Sequence, residues 1–162
     1  MERIGTRDIP GMLAGIVACE IAGVIGSIFT IPSIPTWYAA LNKPFFTPPG
    51  WVFGPAWVAL YALMGISAYL VWTKGVKKHE VRWALSLFAA QLFLNVLWSI
   101  AFFGMHSPLY GFAVIALLWV TLLATIILFY RISKTAAYLL VPYFLWGSFA
   151  AALNLAVLIM NP

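Results

Sequence analysis

The chain carries five apolar runs, each long enough for a helix to cross a bilayer. They are Ile9 to Ile31, Phe53 to Thr73, Trp83 to Phe103, Pro108 to Tyr130 and Ala136 to Met160. The hydrocarbon core is about 30 Å thick and takes about 20 helical residues to span. No water is present there to satisfy a backbone amide, so only helices and closed barrels cross. Barrel strands would read as alternating segments of about 10 residues. These runs are continuous and rich in Leu, Ala and Ile, which excludes a barrel. The expected fold is all-α and membrane-integral, a five-transmembrane-helix bundle in a single membrane domain, residues 1–162. Composition points the same way: 64% of residues are hydrophobic and 8% charged, against about 25% charged in soluble domains.

The breaks between runs have physical causes. Pro32 and Pro35 are expected to end the first helix. Lys74, Lys77, Lys78, His79, Glu80 and Arg82 separate the second run from the third. Gly104 and Pro108 bracket a short turn, and Arg131, Ser133 and Lys134 part the last two runs. The first run is too long for the apolar region of a cleaved signal, so it is taken as a membrane helix. Five crossings place Arg3, Arg7, Lys74, Lys77, Lys78, Arg82, Arg131 and Lys134 on one side and Lys43 on the other. The positive-inside rule then makes the N-terminus cytoplasmic and the C-terminus external, in a prokaryotic plasma membrane. The net charge of +5 is explained by this orientation, and no nucleic-acid partner is expected. Trp72, Trp83 and Tyr130 fall at cytoplasmic helix ends as interfacial belt residues. Small residues recur every fourth position on the first helix, as Ala14, Ala18, Ala22 and Gly26 and as Gly11, Gly15, Cys19 and Gly23. Such stripes serve close packing within the bundle or between two copies.

The first loop, residues 32–52, is stiff and sticky. Pro35, Pro44, Pro48 and Pro49 restrict it, and Trp37, Tyr38, Phe45, Phe46 and Trp51 make it apolar. A water-exposed linker would carry Gly, Ser and charge instead. It reads as a lid over the bundle mouth or as a re-entrant interfacial anchor. Trp57 and Tyr61 share one face of the second helix. Gln91, Asn95 and Trp98 form a stripe on the third. Their amides either bond across helices or line a cavity that hydrogen-bonds a ligand. Tyr143, Trp146, Ala150 and Asn154 share a face of the fifth helix, beside a kink expected at Pro142. A pocket between these faces would be aromatic with a few amides and hydroxyls, which suits a flat hydrophobic ligand such as a porphyrin. Glu20 lies near the middle of the first helix, where charge is costly. It binds a ligand nitrogen, moves a proton, bonds across helices in protonated form, or is a satisfied structural residue. His79 and His106 are expected in solvated loops on opposite sides. The sequence holds no catalytic triad, carboxylate pair or metal-ligand cluster, so no catalytic residue, metal or cofactor is assigned.

The motifs Gly26-Ser27-Ile28-Phe29-Thr30, Trp37-Tyr38 through Trp51, Phe53-Gly54-Pro55-Ala56-Trp57, Gln91-Leu92, Leu94-Asn95, Trp98, Phe102-Phe103-Gly104, Pro142-Tyr143, Trp146 and Leu153-Asn154 closely resemble the translocator protein family. Its members are also called tryptophan-rich sensory proteins or peripheral-type benzodiazepine receptors. The resemblance covers nearly the whole chain. It implies a receptor, sensor or carrier with a bundle cavity closed by the first loop, often as a homodimer. It implies binding of porphyrins and haem-like tetrapyrroles, and of synthetic isoquinoline carboxamides and benzodiazepines. By motif position it makes Trp51, Gln91, Asn95 and Trp146 pocket residues, with Trp98 and Ala150 in the walls. Trp37 and Tyr61 join them from the lid and the second helix. Two other readings stay open: a light-dependent porphyrin-degrading enzyme using Trp51 and Trp146, and a regulator whose partners dock on the cytoplasmic loops. The proposed sterol motif of mammalian relatives is absent here, because Leu155 follows Leu153-Asn154 and no Lys or Arg comes after.

Overall fold

The computed structural model describes residues 8–162. Five α-helices follow one another: α1 Ile9–Ser33, α2 Phe53–Trp72, α3 His79–Ser99, α4 Pro108–Ile132 and α5 Lys134–Met160. With the short turns that extend them, all five are long and apolar enough to cross a membrane. The chain is an integral membrane protein, and its described residues form no strand. Arg3 and Arg7, counted in the charge asymmetry, lie outside the described residues.

The helices close into a ring. α1 packs on α2 and α3, α3 on α4, α4 on α5, and α5 returns to α2. The α2–α3 and α4–α5 links lie at one end, called here the basic end. The long link between α1 and α2 lies at the other, the lid end. Most of the core sits in the basic half, where Met64, Val71, Phe88, Phe129 and Leu140 pack together. Ser67 fastens α2 to α5 there, donating from Oγ to the Ala136 carbonyl at 2.7 Å. The stripe Gly11, Gly15, Cys19, Gly23 faces α2. A Cβ on Gly15 would stand 2.6 Å from the Gly65 carbonyl oxygen, and a Cβ on Gly11 would overlap the Tyr69 ring. Of the second stripe, Ala14 and Ala18 stay exposed, whereas Gly26 is buried against Ser99.

Pro32 and Pro35 do not end the first helix. The helix passes through Pro32 and continues as a π-helical turn, Ile34–Tyr38. Unwinding here would strand further carbonyls in an apolar layer, so the helix holds despite the two missing proline N–H donors. Thr30, Ser33 and Thr36 donate to the carbonyls of Gly26, Phe29 and Pro32. The first part of the expected loop 32–52 is therefore helical. Its last residues form a 3-10 turn, Gly50–Val52, and only residues 41–49 are irregular.

The third helix begins at His79, four residues before the expected start, and takes in Glu80 and Arg82. An acidic residue in a first turn is favoured by the helix dipole. α3 also ends in a π turn, Ile100–Gly104. α4 and α5 meet closer than expected because Ser133 alone, extended at φ −151° and ψ 110°, makes the reversal. Its hydroxyl caps α5 by accepting from the Ala136 amide. α5 runs without interruption through Pro142.

Candidate functional site

α1 and α2 are in backbone contact in the basic half and separate toward the lid end. A Cβ added at Gly54 or Gly50 would meet nothing within 4 Å, the reverse of Gly15 and Gly65. The space so opened is a cavity of about 480 Å³ between α1, α2, α3 and α5. That lies within the range of about 300–1,000 Å³ usual for small-molecule sites. Trp51, Phe53, Trp57, Trp98 and Phe102 give it aromatic walls. Tyr38 and Trp51 stand at its lid end, and Glu20, Tyr61 and Asn95 at the end nearer the basic half.

The polar groups of the walls are mostly engaged with one another. The Tyr61 hydroxyl donates to Asn95 Oδ1 at 2.6 Å, and Asn95 Nδ2 donates to the Tyr143 hydroxyl at 2.8 Å. This relay ties α2 to α3 to α5 across the cavity floor. Nearer the lid, Trp98 Nε1 donates to Asn154 Oδ1 at 3.1 Å, and Asn154 Nδ2 donates to the Pro108 carbonyl at 2.9 Å. Of the two amides whose role sequence left open, Asn95 does both, bonding across helices and lining the cavity, whereas Gln91 is not among the lining residues. Ring contacts continue the pattern, with Trp57 tilted against Tyr61 and Trp98 stacked on Phe102 at 5.8 Å.

Six of the singled-out residues line this space: Glu20, Trp51, Tyr61, Asn95, Trp98 and Ala150. Trp51 is 76% exposed and is held in the 3-10 turn Gly50–Val52. Three others lie elsewhere. Gln91 is fully buried, and among the described residues neither its Oε1 nor its Nε2 has a hydrogen-bond partner. Trp146 packs edge-on against Phe53 at 5.9 Å and beside Phe149. Trp37 meets Phe102 edge-on at 5.4 Å and stacks on His106 at 4.9 Å. His106 is therefore not a free loop histidine, although it is exposed. It takes a positive φ of 52°, and its Nε2 lies 3.4 Å from Ser33 Oγ. His79, also expected in a loop, opens α3 and accepts from Trp83 Nε1 at 2.7 Å.

Apart from Glu20, sequence reasoning missed the contribution of α1. Val24, Ser27 and Ile31 line the cavity, although this stretch reads only as an apolar membrane run. The one signal was the Gly26-Ser27 pair. A serine following a buried glycine marks a face where the helix meets something other than lipid.

The link over the mouth is pinned at several points. The Lys43 ammonium donates to the carbonyls of Tyr38, Ala39 and Leu41, capping the end of the first span. Asn42 and Asn161 exchange hydrogen bonds, the Asn42 amide donating to Asn161 Oδ1 at 3.0 Å and Asn161 Nδ2 to the Asn42 carbonyl at 2.9 Å. The link is thus tied to the end of α5 on one side, while Phe45 on its crest is fully exposed.

Comparison with known proteins places this arrangement. The TspO/MBR family model matches residues 15–160. The chain is 46% identical to the tryptophan-rich protein TspO of Archaeoglobus fulgidus over 155 residues, covering 95% of this chain and 99% of that one. It is 35% identical to the tryptophan-rich sensory protein of Cereibacter sphaeroides, covering 92% and 90%. It is 40% identical to the human translocator protein, covering 87% and 84%.

Proposed function

The chain belongs to the TspO/MBR family, and on that premise we propose that it is a membrane receptor, sensor or carrier for porphyrins and related flat hydrophobic ligands. The observation that carries this reading is the cavity of about 480 Å³ walled by Trp51, Trp57 and Trp98. Such walls offer ring faces for stacking, while engaged amides keep the pocket shape fixed. Trp51, Tyr61, Asn95, Trp98 and Ala150 are the proposed contact residues. Gln91, Trp146 and Trp37 belong to the same proposal from behind these walls, and isoquinoline carboxamides and benzodiazepines are proposed to share the site. The first link, hinged beyond the Lys43 cap, would act as its lid.

The membrane proposed is a prokaryotic plasma membrane, with the basic end cytoplasmic. The contrast between Lys74, Lys77 and Lys78 at one end and Lys43 at the other supports it. A homodimer is part of the same reading, with the exposed Ala14 and Ala18 of α1 available for close helix approach.

The test is titration of the detergent-solubilised protein with protoporphyrin IX in the dark, followed by Trp emission, beside Trp51→Ala. Saturable quenching by the native chain, weakened about tenfold or more in the variant, is expected. A stacking contact of about 1–1.5 kcal/mol plus lost apolar contact area corresponds to that factor. Equal binding by both proteins, or no saturation, would overturn the reading. The same samples under light report on porphyrin breakdown: turnover lost in Trp51→Ala would favour an enzyme instead.

A further inference from the structure

The cavity described above is not enclosed on the side of α1 and α2. Val24, Ile31 and Val58 line it and are at the same time 62%, 66% and 58% exposed. Residues can do both only where the wall between two helices is open. α1 and α2 touch through Gly15 and Gly65 and are apart at Gly54, so the opening is a lateral slot widening toward the lid end. Its faces are apolar and lie within the spans of both helices, so the slot looks onto lipid chains.

Glu20 lies at the inner end of this slot. It is one helical turn or so below Val24 and lines the cavity with Tyr61 and Asn95. About 27 Å of helix separates it from Tyr38 at the lid end, counting about 1.5 Å per residue. Among the described residues, none is hydrogen-bonded or ion-paired to its carboxyl, whereas Tyr61 and Asn95 beside it are bonded to each other. A carboxyl at mid-membrane depth without a protein partner, facing an open cavity, is a ligand-directed group by its setting.

We infer that the cavity takes its ligand sideways from the bilayer through the α1–α2 slot, and that Glu20 selects ligands presenting a nitrogen-bound hydrogen-bond donor, most strongly a protonated amine. This rests on the receptor reading above and adds the chemical class recognised at the deep end. An apolar ring system would fill the aromatic part of the cavity, and its donor nitrogen would reach the carboxyl past Tyr61. The lipid phase concentrates such molecules, and the carboxylate accepts a charge-assisted hydrogen bond that hydrocarbon cannot supply.

The test uses the full chain in nanodiscs of zwitterionic lipid, with 1-pyrenemethylamine and 1-methylpyrene as matched probes. Both are flat and partition into the bilayer, and only the first carries a donor nitrogen. Energy transfer from Trp to pyrene reports occupancy, with empty nanodiscs as the blank. The amine is expected to bind at least about tenfold more tightly than the hydrocarbon, equivalent to about 1.4 kcal/mol. Glu20→Gln is expected to remove that preference while leaving binding of 1-methylpyrene, which has no donor nitrogen for the carboxyl to meet, within about twofold of the native chain. Retained 1-methylpyrene binding also shows that the variant is folded. If the native chain binds protoporphyrin but does not distinguish the pyrenes, or if the variant keeps the preference, the Glu20 assignment falls and the receptor reading stands. If the native chain binds none of the three saturably, both fall.

Discussion

Replacing Gln91 by Met is expected to stabilise the bundle. Gln91 is completely buried in α3, and its carbonyl and amino groups both lack partners among the described residues. An unsatisfied buried polar group costs about 1–3 kcal/mol. In detergent the unfolded chain finds partners for such an amide, so the folded state alone carries the penalty. Taking about 1 kcal/mol for each of the two groups, the low end of that range, gives about 2 kcal/mol. Met has nearly the same length and shape and no strong polar atom, so the packing loss is small. For a chain of this size each kcal/mol moves the thermal midpoint by about 2–4 °C, so a rise of about 4–8 °C is expected. Thermal unfolding of the purified protein in detergent, followed by Trp emission, reads the midpoint directly. An SDS titration gives the free energy separately. A midpoint that stays level or falls would refute the reasoning, because it would mean that the amide has a satisfying partner in the folded protein. Porphyrin titration of the same variant is informative whichever way stability moves. Unchanged stability gain with weakened binding would show that the native amide is held unsatisfied for a ligand.

Asn95→Leu should act in the opposite sense. It strands the hydroxyls of Tyr61 and Tyr143, which Asn95 now bridges, and a loss of about 2–4 kcal/mol is expected from two orphaned buried groups; a loss below about 0.5 kcal/mol in the SDS titration would contradict the relay. Gly15→Val forces a side chain onto the Gly65 backbone, where even a Cβ would be 2.6 Å from the carbonyl oxygen. Overpacking of this kind costs about 1–3 kcal/mol, and Gly54→Ala, where a Cβ meets nothing, should cost well under half as much. Equal midpoints for the two glycine variants would show that α1 and α2 are not in contact at Gly15.

Run length and charge made the five spans legible, since a bilayer sets one length and tolerates few charges. Helical spacing also identified faces: Tyr61, Asn95, Trp98 and Ala150 were singled out together, and the cavity holds them together. What spacing does not encode is depth and rotation against a neighbour. Gln91 and Asn95 lie one turn apart on one stripe, yet only Asn95 meets the tyrosines. Trp146 shares a face with Ala150 but is turned onto Phe53. The start of the lid was misjudged at Pro32 and Pro35 for a different reason. Proline rules come largely from helices in water, where freed carbonyls are hydrated. Here the segment belongs to a span long and apolar enough to cross a membrane, where unwinding would leave more carbonyls without partners than the two prolines do, and the helix continues. His106 lies in an exposed loop as expected, but spacing could not show its partners Trp37 and Ser33, which lie about 70 positions away.

The π turn at Ile34–Tyr38 has a consequence for how this stretch tolerates change in length. A π turn holds one residue more than the α-helical turn it replaces, so every side chain beyond it is set back by about 100° around the axis. Removing one residue anywhere between Gly11 and Gly23 would throw the glycine stripe off α2 and unseat the whole helix. Removing one between Ile34 and Tyr38 would simply convert the turn to ordinary α-helix. The bundle below would keep its register, while Trp37 and Tyr38 would swing away from Phe102 and Phe103, which they now touch, and the tie of Asn42 to Asn161 would have to be remade. The segment is a phase adjuster: it lets the aromatic collar at the mouth be re-aimed by a single-codon deletion without disturbing the helix that carries it.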